Sequence, residues 1–266
     1  MDLLGNQFDK TVFIVSTGRT GTKGLAHYFD VTYPHVKAVH EPHLSRLLRF
    51  ASNMQMAGFV PAENLIPILT AARRRFLARF DESIYIESNP VLQGFLPILD
   101  QVYRKPLIIH VVRDPKTTIP SAINFDFNHG LKKFANHWVP FWHHRPYEFG
   151  IDEKTWFEQT PVEKLSWYWH SINSHIENSA RTYGDRYLRL RFEDLFYNDN
   201  QGLREMAMWI GLNDTDQLIA NATQKKVNAS TSNRQPKWDD WPESDRQIVL
   251  DHCGSMMERY GYSVSG

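Results

Sequence analysis

The sequence predicts an α/β fold, with one domain whose mainly parallel central sheet is flanked by helices. Short β-branched runs, typical of strands that are buried on both faces, alternate along the chain with amphipathic helical segments. The first such run leads into a loop rich in glycine, threonine and basic residues and then into a helix. With 266 residues, of which 42% are hydrophobic, the chain is large enough for a single domain spanning 1–266.

The predicted strands are short and follow one another at intervals that leave room for helices. The first starts at Thr11, and Ala38–Val39 is interpreted as the end of a second strand. The other strands are expected at Ser83–Glu87, Leu107–Val112 and Tyr187–Phe192. Such alternation of strands and helices indicates a parallel sheet that is covered on both faces.

Helices are predicted between the strands and towards the C-terminus. Thr160, Pro161 and Glu163 form a capping-box sequence, in which Thr160 caps the helix and Pro161 occupies its first turn. A second apolar helical face runs from Leu203 to Ile210 and is ended by Gly211. Further helices are expected at 61–80, with Pro67 disturbing the first turns, and at 249–260.

Composition excludes several classes of protein. The 30 basic and 30 acidic residues give a formal net charge of zero, which argues against a general nucleic-acid-binding protein. The single cysteine, Cys253, cannot form an internal disulfide and provides no metal cluster. No stretch approaches the ~20 apolar residues of a membrane span, and 1–10 lacks the apolar core of a signal peptide. We therefore expect a cytoplasmic protein.

Residues 124–160 differ from the rest of the chain because they are rich in aromatic residues and histidine and show poor periodicity. We interpret this segment as an insertion or lid over a ligand site. Its histidines are His129, His137, His143 and His144. Their spacing matches no known metal-ligand pattern, so a ligand-binding wall or ordinary surface aromatics are the preferred interpretations.

The loop after the first strand carries the strongest signal for a ligand. It places backbone N–H groups and a helix N-terminus beside two basic side chains, and its residues are Gly18, Arg19, Thr20, Gly21, Thr22 and Lys23. The loop differs from a Walker A motif, because only two residues separate its glycines and no Ser or Thr follows the lysine to hold magnesium. The sequence therefore predicts a phosphate-type anion site that needs no metal.

A second anion signal follows the strand at Leu107–Val112. Arg113 comes at the carboxyl end of this strand, where the ligand crevice of an open α/β sheet is found, and Ser121 lies eight residues further on. Together they are suited to a second phosphate, which Arg113 would bind by charge-assisted hydrogen bonds. The alternative is that Arg113 pairs with Asp114 or another neighbour at the sheet edge.

The combination of these motifs resembles the sulfotransferases that use 3′-phosphoadenosine 5′-phosphosulfate (PAPS). Arg19 to Thr22 is similar to the family's 5′-phosphosulfate loop, and Arg113 with Ser121 to its 3′-phosphate clamp. The segments Leu190–Leu195 (LRFEDL) and Leu203–Leu212 (LREMAMWIGL) resemble a later family motif. The tail with Lys237-Trp238, Cys253-Gly254 and Tyr260-Gly261-Tyr262 is also similar, so the resemblance covers almost the whole chain.

The resemblance implies a P-loop-like sulfotransferase architecture and transfer of a sulfuryl group from PAPS to a small-molecule or carbohydrate-like hydroxyl acceptor. Glu41 takes the position of a general base that accepts the hydroxyl proton. Arg19 takes the place of the family's catalytic lysine or arginine and would stabilise charge on the leaving phosphate. Without the resemblance, Glu41 would be interpreted as a cap for a helix at Pro42 or as a partner of Arg46.

Further residues are candidates for binding. Glu87, with Asn89 two residues on, ends a strand and is expected to face the crevice, where it would orient the acceptor or replace Glu41 as the base. The alternative is that Glu87 pairs with a nearby Arg or Lys. His40 is a weaker candidate for the base and for acceptor contact. Lys23 is expected either to touch the 5′-phosphate or to lie on the helix surface. Candidate nucleotide contacts are Phe192 beside adenine, or alternatively in the core, and the loop residues Ser230, Arg234 and Lys237, which could also form a plain surface loop.

Two other functions are compatible with part of this pattern. The first is a nucleotide-dependent phosphotransferase, which is disfavoured by the missing Walker order and by the lack of a clear magnesium carboxylate. The second is a module that binds the nucleotide without turnover, against which Glu41 argues only by analogy. The sequence indicates neither the oligomeric state nor the acceptor.

Overall fold

The computed structural model describes residues 3–124, 139–146, 153–196, 201–212 and 237–265. Its strands are β1 Lys10–Ser16, β2 Val36–His40, β3 Ile84–Ser88, β4 Leu107–Val112 and β5 Tyr187–Arg191. Its α-helices are α1 Thr22–Thr32, α2 Ser45–Met56, α3 Leu65–Leu77, α4 Leu99–Val102, α5 Pro115–Ala122, α6 Glu153–Glu158, α7 Pro161–Ala180, α8 Phe192–Phe196, α9 Gln201–Ile210 and α10 Glu243–Arg259. Short 3-10 helices occur at Ala62–Asn64, Pro90–Ile98, Arg181–Arg186 and Trp238–Asp240.

The five strands form one parallel sheet in the order β2-β3-β1-β4-β5. The predicted α/β fold with a parallel, helix-flanked sheet is therefore confirmed. From β1 the chain passes to β2 and β3 on one side and then crosses to β4 and β5 on the other. The order of the strands reverses between β1 and β4, and open parallel sheets bind ligands beyond the carboxyl ends of the strands at such a point.

Both faces of the sheet are covered, as expected for strands made of apolar runs. On one face Phe13 and Val15 of β1 pack against α2, α3, α7 and the 90–98 segment, and on the other Val12 and Ile14 pack against α1 and α9. Alternate side chains of one strand thus enter opposite cores, which is the period-2 geometry of a β-strand. A third apolar cluster joins α5, α7 and α10.

Several predicted elements are found with adjusted bounds. The capping box of α7 is present, since the Thr160 hydroxyl accepts the Glu163 N–H and the Glu163 carboxylate accepts the Thr160 N–H. The expected strand end at Ala38–Val39 is a complete edge strand, β2. By contrast, β5 ends at Arg191 and Phe192 begins α8, so the prediction of Phe192 as a strand residue is wrong.

Candidate active site

The loop between β1 and α1 has a tightly wound backbone. Gly18, Arg19 and Gly21 have φ values of 84°, 58° and 70°, in the left-handed region. A left-handed backbone costs a non-glycine residue such as Arg19 about 1–2 kcal/mol and is retained where the surrounding structure enforces it. The Gly18 N–H donates to Ser16 Oγ at 3.1 Å, which fixes the start of the turn. The chain is thereby redirected from the carboxyl edge of the sheet into α1.

The start of α1 has the features of an anion site. Gly21 is its N-cap residue, and a glycine has no side chain with which to cap the first N–H groups of the helix. The hydroxyl of the fully buried Thr20 has no hydrogen-bond partner among the described residues. A Cβ atom added at Gly18 would meet no atom of the described residues within 4 Å. Uncapped donors, an unpartnered hydroxyl and open space beside the loop fit the binding of a phosphate or sulfate group.

The two predicted anion-binding arginines lie next to each other. Arg19 Nε donates to Ser121 Oγ at 3.0 Å, and Arg113 Nη1 donates to the Arg19 carbonyl oxygen at 2.6 Å. Arg113 Nε also donates to Thr117 Oγ1 at 3.1 Å. The residues predicted to bind opposite ends of a nucleotide are thus hydrogen-bonded to one another at the switch point between β1 and β4.

Asp114 forms a hydrogen bond with the helix that follows it. Its carboxylate accepts the Lys116 N–H at 2.9 Å and so caps the first turn of α5. Burial raises the pKa of Asp114, and the hydrogen bond from the Lys116 amide opposes this shift. The Arg113 carbonyl oxygen accepts the indole N–H of Trp169 at 2.9 Å, so that α7 also holds the strand end in place.

Phe192 forms a wall over the loop. The Arg113 guanidinium lies 4.4 Å from the centroid of the Phe192 ring, a cation–π distance. The rings of Phe192 and Phe196 are 4.9 Å apart. A Cβ atom at Gly21 would come within 2.9 Å of Phe192 and 2.8 Å of Phe196, so glycine is required at this close approach. The half-buried position of Phe192 beside Arg113 suits stacking with a planar ligand.

Glu193 joins three separate parts of the chain. Its carboxylate accepts the Asp114 N–H at 3.2 Å and the Tyr262 hydroxyl at 2.8 Å. Burial, and next the nearby Glu193 carboxylate, raise the pKa of Tyr262. The β4 end, the LRFEDL segment and the C-terminal tail, all noted in the sequence, therefore meet in one hydrogen-bonded group next to Arg113.

Glu41 lies at the carboxyl end of β2 and is exposed. Its backbone is left-handed with φ 43°, and its N–H donates to the Ser88 carbonyl oxygen at 3.1 Å. Within the described parts of the chain its carboxylate forms no hydrogen bond or ion pair, including any with Arg46. Helix α2 begins at Ser45, so Glu41 is not the cap of a helix at Pro42. The carboxylate is available to a ligand.

His40 and Lys23 are neighbours of Glu41. His40 Nδ1 donates to the Ser88 carbonyl oxygen at 3.0 Å, which leaves Nε2 as the acceptor nitrogen of the neutral ring. Burial lowers the pKa of His40, while the Glu41 charge opposes this shift and the Lys23 charge adds to it. His40 is consequently neutral at pH 7. Lys23 is exposed on the first turn of α1.

The expectation that Glu87 and Asn89 face the crevice is wrong, because both are fully buried. The Glu87 carboxylate accepts hydrogen bonds from the Arg73 guanidinium at 2.8 and 2.9 Å, from the Tyr85 hydroxyl and from the Asn89 amide. Asn89 Oδ1 accepts the Val91 N–H. These bonds occupy the polar atoms of both side chains, so neither can contact an acceptor.

The structure adds residues that support the loop and that the sequence reasoning did not identify. Ser88 Oγ donates to the Thr22 carbonyl oxygen at 2.9 Å, and the buried Gln93 amide donates to the Ser16 carbonyl oxygen. Neither residue lies in a recognisable motif. Arg73 had a detectable signal, since it falls on the apolar stripe of α3 with Leu65, Leu69 and Leu77.

Part of the predicted site falls outside the described residues. This is the case for Ser230, Arg234, His129, His137 and most of the aromatic segment 124–160. Lys237 is exposed just before the 3-10 helix Trp238–Asp240. His144 donates or accepts a hydrogen bond with Ser171 Oγ at 3.0 Å, and the His143 ring lies 4.4 Å from that of Tyr168.

The described residues contain no group of three or more His, Cys, Asp or Glu side chains that could hold a metal ion. None of their helices combines the length and the apolar character that crossing a bilayer requires.

Comparisons with solved structures place the fold among sulfotransferases. The sulfotransferase domain from the Synechococcus PCC 7002 olefin synthase superposes with a TM-score of 0.57 at 18% identity, over 97% of this chain and 96% of that chain. Mouse sulfotransferase SULT7A1 complexed with PAP superposes with a TM-score of 0.55 at 14% identity, over 97% and 93%. At these identities the similarity shows the fold, which has the predicted sulfotransferase architecture.

Sequence comparisons identify the family. Omega-hydroxy-beta-dihydromenaquinone-9 sulfotransferase Stf3 from Mycobacterium bovis is 25% identical over an alignment of 226 residues, which covers 78% of this chain and 50% of that protein. The Stf3 protein of Mycobacterium tuberculosis gives the same values. The chain thus spans about half the length of the curated relatives it matches. A family model described as "Sulfotransferase domain" matches residues 9–259, and the chain therefore belongs to the sulfotransferase domain family.

Proposed function

We propose that this protein transfers the sulfuryl group of PAPS to a hydroxyl group of a small-molecule or carbohydrate-like acceptor. The observation that carries this proposal is the contact between the two arginine sites, in which Arg19 Nε meets Ser121 Oγ at 3.0 Å and Arg113 meets the Arg19 carbonyl. Both sites lie at the switch point of the sheet, where a nucleotide with two phosphate groups can be bound by both arginines at once.

Residues of the chain are assigned to the two ends of the nucleotide. The loop 18–23 and the uncapped start of α1 bind the 5′-phosphosulfate, supported by the unpartnered Thr20 hydroxyl. Arg113 and Ser121 bind the 3′-phosphate, and Phe192 stacks with the adenine. Ser230, Arg234 and Lys237 stay predicted contacts of a loop near the nucleotide. A cytoplasmic location and a metal-free reaction also stay predictions from the sequence.

PAPS supplies a sulfuryl group whose bond to the 5′-phosphate oxygen breaks as a bond to the acceptor oxygen forms, releasing adenosine 3′,5′-bisphosphate. The chain contributes a proton acceptor and charge stabilisation. Glu41 takes the acceptor's hydroxyl proton, for which its exposed carboxylate has free oxygens. Arg19, which stays charged at physiological pH, stabilises the negative charge that develops on the leaving phosphate. The neutral His40 contacts the acceptor beside Glu41.

Two observations add one class of acceptor to be tested. Aromatic pairs lie on α2, the helix that follows Glu41 in the chain, and just beyond it: Phe50 with Trp142 at 5.9 Å and Phe59 with Phe141 at 5.3 Å between ring centroids. The Stf3 relatives are named for a hydroxylated, menaquinone-derived lipid. We therefore place a hydroxylated prenyl lipid among the acceptors to be tested, beside aryl alcohols and sugars.

Calorimetry distinguishes the proposed nucleotide from that of a phosphotransferase. Adenosine 3′,5′-bisphosphate should bind well without a metal, whereas ATP with Mg²⁺ should bind at least about tenfold more weakly, since ATP lacks the 3′-phosphate for Arg113. Tighter binding of ATP with Mg²⁺ would exclude the sulfotransferase assignment of the site.

A screen with ³⁵S-labelled PAPS tests turnover. The panel contains farnesol, an ω-hydroxylated prenyl quinone, 4-nitrophenol and N-acetylglucosamine, and product formation is followed by chromatography. We expect labelled product from at least one class of acceptor. Binding of the bisphosphate without turnover of PAPS on any acceptor, or on water, would favour the non-catalytic binding module.

A further inference from the structure

We propose that the buried Arg73–Glu87 ion pair, acting through Ser45, holds the Glu41 segment in its catalytic conformation. Arg73 and Ser45 are positioning residues in this scheme, and neither touches the substrate. The inference rests on the proposed function, because it assigns meaning to the geometry of Glu41. Three observations and one energetic argument support it.

The first is that Arg73 is fully buried and connects two parts of the chain. Its Nε and Nη2 atoms donate to the two carboxylate oxygens of Glu87 at 2.9 and 2.8 Å. Nη1 donates to the His43 carbonyl oxygen at 2.7 Å, and Nη2 also reaches Ser45 Oγ at 3.2 Å. One guanidinium on α3 thus joins the end of β3 to the segment that carries Glu41.

The second is that Ser45 extends this network towards Glu41. Its hydroxyl donates to the Pro42 carbonyl oxygen at 2.6 Å and accepts from Arg73 and from the Asn89 amide at 3.0 Å. One donor and two acceptor positions are the full capacity of a hydroxyl group. The carbonyl groups of residues 42 and 43 are therefore fixed by side chains.

The third is that the segment between β2 and α2 has a strained backbone. Glu41 and Leu44 have φ values of 43° and 67°, in the left-handed region. Strain of this kind persists where the surrounding structure over-determines it. The Glu41 N–H is held by the Ser88 carbonyl oxygen at 3.1 Å, and Arg73 and Ser45 hold the next two carbonyl groups.

The fourth is energetic. The desolvation of a buried ion pair offsets much of its attraction, so replacement by a neutral pair of similar size is often neutral for stability. A role in stability alone therefore gives little reason for a charged pair at this place. A role in positioning explains it, because the guanidinium is the group that can bind Glu87, the His43 carbonyl and Ser45 simultaneously.

The decisive variant is Arg73→Met with Glu87→Gln, which removes both charges and keeps an acceptor for the Tyr85 hydroxyl. We expect kcat with PAPS to fall by about tenfold or more, the size of effect that follows from misplacing a general base. Calorimetric affinity for adenosine 3′,5′-bisphosphate should stay within about twofold, because Arg19 and Arg113 are not part of the network. Hydrogen–deuterium exchange should rise in peptides covering 40–46 and not in those covering 12–25.

The matched control removes another bidentate pair. Arg186 binds Asp100 with contacts of 2.6 and 2.8 Å, just before β5 at the opposite edge of the sheet. Arg186→Met with Asp100→Asn should leave kcat, bisphosphate affinity and exchange at 40–46 unchanged. A loss of kcat in this control equal to that of the first variant would overturn the proposal, because it would show a general response to lost ion pairs.

A smaller change guards against misfolding of the double variant. Ser45→Ala removes a single hydroxyl and should lower kcat by about fivefold, from a lost hydrogen bond of about 1 kcal/mol. Ser45→Thr, which retains a hydroxyl, should restore most of it. Equal kcat in wild type and Ser45→Ala, or no rescue by Ser45→Thr, would contradict the positioning role.

The outcomes separate this inference from the proposed function. If the wild-type protein turns over PAPS and the neutral double variant keeps its kcat, the inference is wrong and the function stands. If the wild type binds the bisphosphate but turns over PAPS with neither the acceptor panel nor water, the proposed function fails. In that case unchanged exchange at 40–46 in the double variant would reject the inference as well.

Discussion

At the scale of single residues, Glu41 differs from Glu87 in ways that the sequence does not reveal. Both lie near the carboxyl end of a short strand, yet Glu41 is exposed and Glu87 is buried. Among the residues that the structure describes, the Glu41 carboxylate has no hydrogen-bond donor, whereas that of Glu87 has four. A carboxylate can accept a substrate proton only if its oxygens are accessible and not already hydrogen-bonded. Glu41 therefore stays the candidate base, whereas Glu87 is part of a buried hydrogen-bonded group in the core.

Replacement of Glu41 by Gln tests this assignment. The variant should lose about 10²-fold or more in kcat, because the amide cannot take the acceptor's proton. Its affinity for adenosine 3′,5′-bisphosphate should be unchanged, as measured by calorimetry. Arg46→Ala is a control on the neighbouring exposed surface and should keep full turnover. Full activity of Glu41→Gln would move the base to another residue, with His40 as the nearest titratable group.

Replacement of Arg113 tests which nucleotides the site selects. Arg113→Ala should weaken binding of adenosine 3′,5′-bisphosphate by about 10- to 100-fold, the effect of losing a charge-assisted hydrogen bond. Binding of adenosine 5′-phosphate should change much less, since this nucleotide lacks the 3′-phosphate that Arg113 is proposed to bind. Lys116→Ala, which removes a nearby charge, is the control. Equal losses for both nucleotides in Arg113→Ala would refute the 3′-phosphate role.

At the scale of elements, the start of α1 contains two glycines with different requirements. Gly21 has φ 70° and lies against the rings of Phe192 and Phe196, whereas a Cβ atom at Gly24 would meet nothing within 4 Å. The first glycine is needed for both conformation and close packing, and the second is merely a weak helix former.

Alanine substitutions at these two positions should therefore have opposite effects. Gly21→Ala should reduce the free energy of unfolding by about 1–2 kcal/mol, because of its left-handed backbone, and should weaken bisphosphate binding by displacing Phe192. Gly24→Ala should raise stability by about 0.5–1 kcal/mol. Thermal unfolding with and without bisphosphate measures both. A destabilising Gly24→Ala, or a neutral Gly21→Ala, would contradict this description of the loop.

Helix α7 holds the end of β4 through a side-chain hydrogen bond. The capping box fixes the residue at which α7 begins, and this start sets the face of the helix on which Trp169 lies, so that its indole N–H donates to the Arg113 carbonyl oxygen. The capping box could be predicted from the sequence of three residues, Thr160, Pro161 and Glu163. The contact between Trp169 and Arg113 could not, because these two residues are 56 positions apart.

At the scale of the whole molecule, the order of the strands creates the site. Since β1 and β4 are neighbours and their connections leave in opposite directions, Arg19 and Arg113 lie side by side although they are 94 positions apart in the sequence. The Glu193 carboxylate then ties the C-terminal tail to the same edge through Tyr262.

Buried histidines predict how the stability of the folded protein depends on pH. Burial lowers the pKa of His110 to about 4, and its two ring nitrogens are hydrogen-bonded to Tyr187 and Asn173. Burial likewise lowers the pKa of His144 to about 3. The unfolded chain takes up these protons near pH 6.5 and the folded chain does not, so stability is present above pH 6.5 and is lost between there and about pH 4.

Urea unfolding at pH 7.5 and pH 5.0 measures this effect. His110→Gln should reduce the loss of free energy of unfolding between the two pH values by about 2 kcal/mol, since it removes one of the groups that bind protons on unfolding. His27→Gln, at an exposed position, should leave the loss unchanged. An identical loss in wild type and His110→Gln would show that His110 does not contribute.

The success of the sequence interpretation depended on the range of the interactions concerned. Strand runs, the capping box and the glycine loop depend on neighbouring residues, and the structure contains all of them. The positions of Glu87 and Asn89 were wrong because their environment is set by Arg73, which lies on α3, an element that packs against the end of β3. The end of β5 was misplaced by one residue, since the apolar Phe192 continues the strand pattern but begins α8.

The sequence by itself determined the parallel α/β fold, because this follows from local patterns of backbone preference and hydrophobic spacing. Its short motifs, including the glycine-rich loop, carried the resemblance to the sulfotransferase family. Only the tertiary structure decided which charged groups are open to a ligand and which are neutralised in the core. Burial and pairing depend on contacts between distant segments: the sheet order brings Arg19 to Ser121, and the packing of α3 seals Glu87 beneath Arg73.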